Sequence, residues 1–395
     1  METARRGCRI LSGGDDMIYL DNAATTFPKP RSTVVEAARA MLFFGANPGR
    51  SAHSLSLRAA REVWSCRERL AELLSAPDPA HIVFCLNCTD ALNIAVQGSL
   101  RPGMHVITTA LEHNSVLRQL AHLNSSGAIR LTILQPGSDG TVAAAQFERA
   151  ISPDTSLVIC THASNVTGAI QPIVEIGALC RARGVRFVLD AAQTVGIIPV
   201  NVKAIGCDLA AMPGHKGLYG PMGTGALYIA DGVDVQPLRR GGTGSSSQSV
   251  YQPDEMPERL ESGTLNLPGI AGLRAGIEFV MQRGDAARKS ERVLMEKLLF
   301  GLKTISNTRI LGPQSAAGRV GVVSFNIGSM PSTDVADALN SRGIAVRAGL
   351  HCAPLAHEHY GTLEQGAVRV SLGAFNVEAE IDNLLNALRK IASEQ

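Results

Sequence analysis

Short apolar runs, several of them β-branched, alternate with longer segments of helical period between about residues 17 and 229. We predict strands near residues 106–109, 129–134, 157–161, 185–189 and 226–229. Helices are predicted over residues 58–74, 114–124 and 172–183, the last with Pro172 at its start and Gly184 just past its end. This alternation is typical of β-α-β units around a mainly parallel sheet, so functional residues are expected at the strand ends.

The pattern changes in the second part of the chain. A stretch rich in Gly and Ser (241–249), then a Pro-bearing stretch to Pro268, is typical of exposed loops, and a domain boundary is expected soon after. Beyond it we predict a long helix, a strand over 320–327, a helix from Ser332 to Gly343, strands at 344–347 and 368–371, and a last helix with Asn376 as N-cap. The predicted division is an N-terminal segment (1–16), a large domain (17–269) and a smaller α+β domain (270–395).

Charge and cysteine content narrow the class of protein. With 37 Lys and Arg against 35 Asp and Glu, the net charge of +2 gives no broad field for binding nucleic acid or an anionic membrane. No apolar run approaches the ~18 residues that span a bilayer, and no apolar segment follows Arg5 and Arg6 as in an export signal, so a cytoplasmic location is expected. Eight scattered Cys are then not expected to form disulfides, which leaves thiols free for chemistry.

Two residues near predicted strand ends could carry chemistry. Asp190 follows the strand at 185–189, where a carboxylate faces the ligand edge, although an Asp there often only caps the next turn. Lys216 lies in the loop Met-Pro-Gly-His-Lys-Gly (212–217). A lysine in a ligand crevice can lose its proton through desolvation and react with an aldehyde, whereas most lysines are solvated. Residue type and position leave both alternatives open.

A candidate anion site lies at the start of a helix. Thr89 follows Asn87 immediately before an apolar helical stretch, and the free N–H groups of a helix N-terminus bind phosphate well. Thr264 and His215 are candidates for additional ligands. The alternative is that Thr89 simply caps the helix.

The cysteines offer one reactive thiol and two minor alternatives. Cys352 is the strongest candidate, because a charge on Arg347 or His351 would favour its thiolate; an ordinary loop cysteine is the alternative. Cys85 and Cys88 form a C-x-x-C pair without a second pair to complete a zinc set, and Cys85 is expected to pack as a small buried hydrophobe. Metal-ligand spacing also occurs at His351, His357 and His359.

Eight short motifs follow one another along nearly the whole chain. They are YLDNAATT (19–26), AHSLS (52–56), LEHN (111–114), NVTG (165–168), GHK (214–216), ESGTLN (261–266), RAGLHCA (347–353) and RVS (369–371). Each is weak alone, but their joint order argues against coincidence. With them the chain resembles the class V aminotransferase-fold enzymes, and among these the group II cysteine desulfurases, which have a selenocysteine-lyase-like active-site loop.

The resemblance implies a PLP-dependent transferase of fold type I, with a large domain on a central, mainly parallel seven-stranded sheet and a smaller α+β domain. The implied cofactor is pyridoxal 5′-phosphate (PLP). Lys216 is then the lysine that binds it covalently, Asp190 pairs with its pyridine nitrogen, and His113 stacks on its ring. Gln193 hydrogen-bonds its phenolic oxygen. The phosphate lies among Cys88, Thr89, His215 and, from a second subunit, Thr264, which implies a homodimer.

The implied activity is cysteine desulfuration. Arg369 grips the substrate carboxylate, with Asn165 beside substrate and cofactor. L-Cysteine is converted to L-alanine while its sulfur forms a persulfide on Cys352 and then passes to an acceptor thiol or protein; Lys216 and His113 are the other catalytic residues. The alternatives are a selenocysteine lyase acting on L-selenocysteine, another PLP reaction of the fold (transamination, epimerisation or C–S cleavage), and an inactive scaffold.

Three positions depart from the family pattern. Pro213 stands where Ser or Thr is usual, and proline offers the phosphate neither a hydroxyl nor an N–H. Cys88 replaces a common Thr, and Leu350 replaces a His that often precedes His351. We therefore expect weaker retention of PLP unless another group substitutes, and altered proton handling or substrate access around the thiol.

Overall fold

The computed structural model describes residues 17–49, 53–244 and 248–394. The predicted N-terminal segment 1–16 lies outside the described residues. The same holds for Ala52 of the AHSLS motif and for residues 245–247 of the Gly- and Ser-rich stretch.

The described chain contains thirteen strands and eleven α-helices. The strands are β1 (Ile18–Tyr19), β2 (Ile82–Cys85), β3 (His105–Thr109), β4 (Arg130–Leu134), β5 (Thr155–Thr161), β6 (Arg186–Asp190), β7 (Leu209–Pro213), β8 (Gly225–Ile229), β9 (Thr308–Ile310), β10 (Val322–Ile327), β11 (Ile344–Ala345), β12 (Arg347–Gly349) and β13 (Ala367–Ser371). The helices are α1 (Arg31–Phe43), α2 (Ser54–Leu74), α3 (Cys88–Ser99), α4 (Asn114–Ser125), α5 (Ala144–Ala150), α6 (Ile173–Arg183), α7 (Val202–Ile205), α8 (Leu267–Lys303), α9 (Ser332–Asn340), α10 (Pro354–His359) and α11 (Glu378–Ser393).

Seven strands form the central sheet, in the order β2-β8-β7-β6-β5-β3-β4. The ladders joining β4, β3, β5, β6 and β7 are parallel, and β8 pairs antiparallel with both β7 and β2. The central strands are buried on both faces, as their apolar sequences require in a sheet covered on two sides. The predicted mainly parallel, seven-stranded sheet is confirmed.

Local sequence explains where several elements begin and end. All five predicted strands of this sheet are found within two residues of their expected bounds. Gly184 follows α6 with a φ of 65°, a left-handed conformation that glycine adopts at little cost. The expectation that Asn376 caps the last helix is wrong. Val377 occupies the N-cap position, its N–H donates to Glu380, and the Asn376 side chain donates to the Tyr19 carbonyl.

A second, antiparallel sheet follows in the C-terminal part, in the order β12-β13-β10-β9, with β1 and β11 pairing beside it. The long helix α8 contributes to two apolar cores. Ile270, Leu273 and Ile277 pack in the core of the large sheet, and Leu294, Leu298 and Leu302 pack with the second sheet and α11. Between the two groups, Gly284 leaves helical geometry with a φ of 47°. The two sheets are therefore connected through one broken helix.

Candidate active site

The carboxyl ends of β5, β6 and β7 meet at one edge of the central sheet and bring Asp190 and Lys216 together. Asp190 is the last residue of β6 and is 3% exposed. Its Oδ1 accepts the Ala192 N–H at 2.9 Å and lies 3.8 Å from the Cys88 sulfur. Asp190 therefore caps the following turn and also presents a buried carboxylate at the ligand edge. The capping role and the position at the ligand edge are compatible.

The Lys216 loop after β7 is fixed through its backbone. Thr26 Oγ1 donates to the Lys216 carbonyl at 3.0 Å, and Lys29 Nζ donates to the His215 carbonyl at 2.7 Å. Burial lowers the pKa of the Lys216 amine, opposed by the nearby Cys88 and Asp190. Burial also lowers the pKa of Lys29 to about 8. Both lysines thus reach the neutral state more readily than a solvated lysine.

His113 lies at the N-terminus of α4, close to Lys216. Its Nδ1 accepts the Ser115 N–H at 3.1 Å and lies 2.8 Å from the Ser115 hydroxyl. Burial, with the charge of Lys216, lowers the pKa of His113 to about 4. The ring is therefore neutral at physiological pH, and because Nδ1 accepts, its proton is on Nε2.

Glu112 precedes His113 and is completely buried. Its Oε1 accepts the Thr109 hydroxyl at 2.7 Å and the Thr161 N–H at 2.9 Å, while Oε2 has no partner among the described residues. Burial raises the pKa of Glu112 to about 8. A neutral carboxylic acid thus lies beside the site. Glu112 is not among the predicted site residues, although its place in LEHN is a signal for it.

The predicted anion site is only partly assembled. Asn87 caps α3 by accepting the Asp90 N–H at 2.9 Å, so the alternative that Thr89 is the cap is wrong, and Thr89 is exposed in the first turn. His215 Nδ1 is buried without a partner among the described residues, and burial lowers its pKa to about 4. His215 therefore has an unused, uncharged nitrogen.

Gln193 and Thr264 differ in their surroundings. Gln193 is 4% exposed and donates to the Ala23 carbonyl at 3.2 Å, within the YLDNAATT segment. Thr264 is exposed and accepts from Asn47 at 3.4 Å; the described contacts do not join it to Thr89 or His215. Glu261 of the same motif is buried against Arg67 and accepts the Phe84 N–H. The motif ESGTLN thus combines a structural glutamate with an exposed threonine.

Arg369, on β13, is 1% exposed and is held on two sides. Its Nη2 pairs with Asp21 Oδ1 at 2.8 Å, and its Nη1 donates to the Asn165 carbonyl at 3.1 Å. Its Nε is buried without a partner among the described residues. Asp21 belongs to YLDNAATT, but the motif by itself does not indicate Arg369 as its partner.

Cys352 lies on a strained but anchored turn. His351 and Cys352 both have left-handed φ values, 51° and 56°. The His351 carbonyl accepts Asn165 Nδ2 at 2.6 Å, and the Cys352 carbonyl accepts the Asn114 N–H at 2.7 Å, next to His113. The thiol is exposed and lies 3.9 Å from Arg347 Nη2. Burial holds the pKa of His351 well below its usual value, so the idea that a charged His351 activates the thiol is wrong; Arg347 supplies the nearby charge.

The structure therefore brings together most of the predicted site residues. Lys216 is within electrostatic range of Asp190, Cys88, Arg369 and Arg347. Cys352 joins this group through Asn114 and Asn165. Thr89 and Thr264 are exposed and not bonded to it. In the part of the chain that is described, His, Cys, Asp and Glu side chains form no group of three or more that could hold a metal ion.

A model of the family "Aminotransferase class-V" matches residues 18–384. The chain belongs to this family. A probable cysteine desulfurase of Methanothermobacter thermautotrophicus is 36% identical over 400 residues, covering 99% of this chain and 98% of that protein. A cysteine desulfurase of Cronobacter sakazakii is 34% identical, covering 96% and 94%.

Solved structures agree with this class V assignment. The apo structure of a cysteine desulfurase from Thermococcus onnurineus NA1 superposes with a TM-score of 0.90 at 32% identity, covering 96% of each chain. The fold and the resemblance to class V cysteine desulfurases expected from the motifs are thus confirmed. None of the helices in the described part of this class V chain combines the length and apolar character that crossing a bilayer requires.

Proposed function

We propose that this chain is a PLP-dependent cysteine desulfurase that converts L-cysteine to L-alanine and leaves a persulfide on Cys352. The observation that carries the proposal is the convergence of an amine, a guanidinium and a thiol from distant parts of the sequence. Burial and, to a lesser extent, the charge of Arg369 lower the pKa of Lys216. Asn165 forms hydrogen bonds with both Arg369 and the turn that carries Cys352. An amino acid whose carboxylate is held at Arg369 is then expected to lie between Lys216 and Cys352.

The residues around Lys216 fit PLP. Asp190 offers a buried carboxylate, and a pyridinium nitrogen about 4 Å away would interact with it by about 4 kcal/mol at an effective dielectric of 20. The unpartnered Nδ1 of His215 would gain a partner from a ligand oxygen. Lys216 would hold the cofactor covalently, and PLP when bound supplies an electron sink for the electron pair of the α-C–H bond. The remaining contacts would come from Cys88, Thr89, His113, Asn165 and Gln193.

Proton movement in this proposal depends on two neutral nitrogens. Burial lowers the pKa of Lys216, so its Nζ, once free, can take the α-proton of the bound substrate and return a proton to the product. His113 is neutral with its proton on Nε2, where it can donate to the substrate side of the site. Arg369 orients the substrate by binding its carboxylate through two N–H groups. These roles need no charge on either histidine of the site.

Sulfur transfer is a displacement at the substrate sulfur. The Cys352 sulfur attacks as a thiolate, a new S–S bond forms, and the C–S bond of the substrate breaks. The electron pair of the broken C–S bond stays with the three-carbon skeleton. This skeleton takes up a proton and leaves as L-alanine. One cysteine thiol and one L-cysteine thus give one persulfide and one L-alanine, without an added oxidant or reductant. Arg347 Nη2 lies 3.9 Å from the attacking sulfur.

The persulfide then passes to an acceptor thiol, which must come to the exposed Cys352. The seven described cysteines are free, and five of the other six are buried. A cytoplasmic setting, which keeps thiols reduced, is part of the proposal.

We further propose a homodimer in which Thr264 reaches the phosphate of the partner subunit. Its support is an exposed apolar surface around a cavity of about 380 Å³ that Met41, Asn47 and Thr264 help to line. The neighbouring face of α1 exposes large apolar side chains, at Val34, Val35, Met41, Leu42 and Phe43. An exposed apolar area of this kind marks an interaction surface, and a second copy would cover it while bringing Thr264 to a phosphate.

The decisive experiment is mass spectrometry of the purified protein after addition of L-cysteine. We expect one added sulfur atom on the peptide that contains Cys352, and L-alanine in solution. Cys352→Ala should abolish both, while Cys8→Ala, a control for the loss of another thiol, should not. Sulfide release from L-cysteine at the parental rate by Cys352→Ala would contradict the persulfide route. Repeating the assay with L-selenocysteine shows whether the pocket also accepts selenium.

A further inference from the structure

Three buried polar side chains form a hydrogen-bonded series behind the Cys352 turn. His351 Nδ1 lies 3.2 Å from His357 Nε2, and His357 Nδ1 lies 2.8 Å from Thr362 Oγ1. The two imidazole rings stack with centroids 5.4 Å apart. His351, His357 and Thr362 are 2%, 0% and 1% exposed. His357 and Thr362 lie outside the motif RAGLHCA and have no role in the proposed function.

His357 is the middle member and uses both ring nitrogens. A neutral imidazole has one donor and one acceptor, so a ring that bonds His351 on one side and Thr362 on the other is fully satisfied. Burial lowers the pKa of His357 to about 4, so the ring is neutral at physiological pH. His351, by contrast, is bonded through Nδ1, and its Nε2 has no hydrogen-bond partner among the described residues. The orientation of the His351 ring therefore depends on its contacts with His357 and with the backbone of Arg347.

The charged groups near His351 favour the same neutral state. Burial lowers the pKa of His351 most, and the charge of Arg369 on β13, the neighbouring His357 and the charge of Arg347 on β12 lower it further, while a hydrogen bond with the Arg347 backbone opposes them. The series therefore acts through geometry and hydrogen bonds rather than through a charge.

The backbone of the same turn needs external support. Two successive non-glycine residues, His351 and Cys352, have φ values of 51° and 56°, a conformation that persists only where surrounding contacts hold it. Asn165 and Asn114 bind the two carbonyls of the turn. The His351 side chain provides a third attachment, which runs through His357 to Thr362.

We infer that His357 is a positioning residue for Cys352: it fixes the His351 ring and, through it, the left-handed turn that presents the thiol to the substrate sulfur. The inference rests on the proposed function, in which Cys352 accepts that sulfur. A misplacement of reacting atoms by about 1 Å can cost on the order of 100-fold in rate. His357 is therefore expected to affect the sulfur-transfer step without changing how substrate or cofactor binds.

Two substitutions at one position separate this role from a general packing role. His357→Phe keeps the size and the stacking of the ring but removes both hydrogen bonds. His357→Gln keeps one donor and one acceptor on neighbouring atoms and serves as the conservative variant. We expect kcat for L-alanine formation by the PLP-loaded enzyme to fall about 10- to 100-fold in His357→Phe, with KM within about twofold of the parental value. His357→Gln should recover most of the loss, and the visible absorbance of bound PLP should be unchanged in both.

A second readout does not depend on activity. In protein freed of PLP, the rate at which iodoacetamide labels the Cys352 peptide should change at least about threefold in His357→Phe and little in His357→Gln, because only the former releases the turn. Thr362→Val, which removes a single hydroxyl, should shift kcat and labelling in the same direction but less. It replaces His357→Phe if that variant fails to fold by circular dichroism.

The outcomes distinguish this inference from the proposed function. Parental kcat and parental labelling in His357→Phe, with an inactive Cys352→Ala, would overturn the positioning role alone. An equal fall of kcat in His357→Phe and His357→Gln would also overturn the positioning role. So would a change in KM and PLP absorbance that accompanies the fall of kcat. Parental desulfuration by Cys352→Ala would instead remove the proposed function.

Discussion

Glu112→Gln tests whether a neutral carboxylic acid lies beside the candidate site. Glu112 is completely buried, and burial raises its pKa from 4.5 to about 8. Glutamine keeps the oxygen that accepts from Thr109 and Thr161, at 2.7 and 2.9 Å, and removes the titration. The variant therefore isolates the contribution of one proton to stability.

The sign of the effect follows from the two protonation states. The unfolded chain loses the Glu112 proton near pH 4.5, whereas the folded protein keeps it up to about pH 8. Unfolding in this window therefore releases a proton, so the contribution is fully present below pH 4.5, falls as pH rises and is lost above about pH 8. At about 1.4 kcal/mol for each pH unit, the whole interval corresponds to about 5 kcal/mol.

The measurement is urea unfolding of the cofactor-free protein at several pH values between 5 and 8. The unpaired amide N–H of the new glutamine lowers the free energy of unfolding by about 1 to 3 kcal/mol at every pH. This shifts the plot of unfolding free energy against pH without changing its slope. We expect the free energy of unfolding of the parental protein, minus that of Glu112→Gln, to fall by about 4 kcal/mol across this range. Glu148→Gln, at an exposed glutamate, is the control. Parallel curves for parental protein and Glu112→Gln would show that Glu112 is charged in the folded state.

Two further predictions concern the proposed cofactor and the proposed dimer. Pro213 is buried at the end of β7, and Pro213→Ser adds a hydroxyl and an N–H. The Kd for PLP, measured by absorbance titration, should therefore fall about 2- to 12-fold. Unchanged or weaker binding would refute this. Leu42 is 74% exposed on α1, and we expect Leu42→Asp to be a monomer by light scattering. The control is Phe300→Asp, at a residue 73% exposed on α8, which should leave the proposed dimer intact. A dimeric Leu42→Asp would contradict the proposed interface.

The sheet could be predicted where the strands carry their own signal. The five strands found within two residues of their predicted bounds are apolar runs bounded by turn residues or charges. β7 was not among the predicted strands, because Leu-Ala-Ala-Met-Pro contains no β-branched residue and becomes a strand by pairing with β6 and β8. Residue type alone does not identify the cap of α3, since Asn87 and Thr89 are both good caps and only the backbone geometry selects Asn87.

The site could be predicted only as separate pieces. Strand ends indicated Asp190, and the glycine-flanked loop indicated Lys216, but no spacing rule connects Asp21 with Arg369, which are 348 residues apart. The same is true of Asn165 and His351, 186 residues apart. Such pairs form when separate elements pack together, so motif order named the residues but could not give their partners.

Asn165 shows how these pieces combine into one arrangement. Its carbonyl accepts from Arg369 at 3.1 Å, and its side chain donates to the His351 carbonyl at 2.6 Å, so one residue connects the proposed carboxylate site to the thiol turn. Asn114, next to His113, holds the other carbonyl of that turn. With both carbonyls hydrogen-bonded, the turn that carries Cys352 is attached to the segments that carry His113 and Arg369. Under the proposed function, we expect the acceptor to approach the exposed thiol on this attached turn and to take the persulfide there.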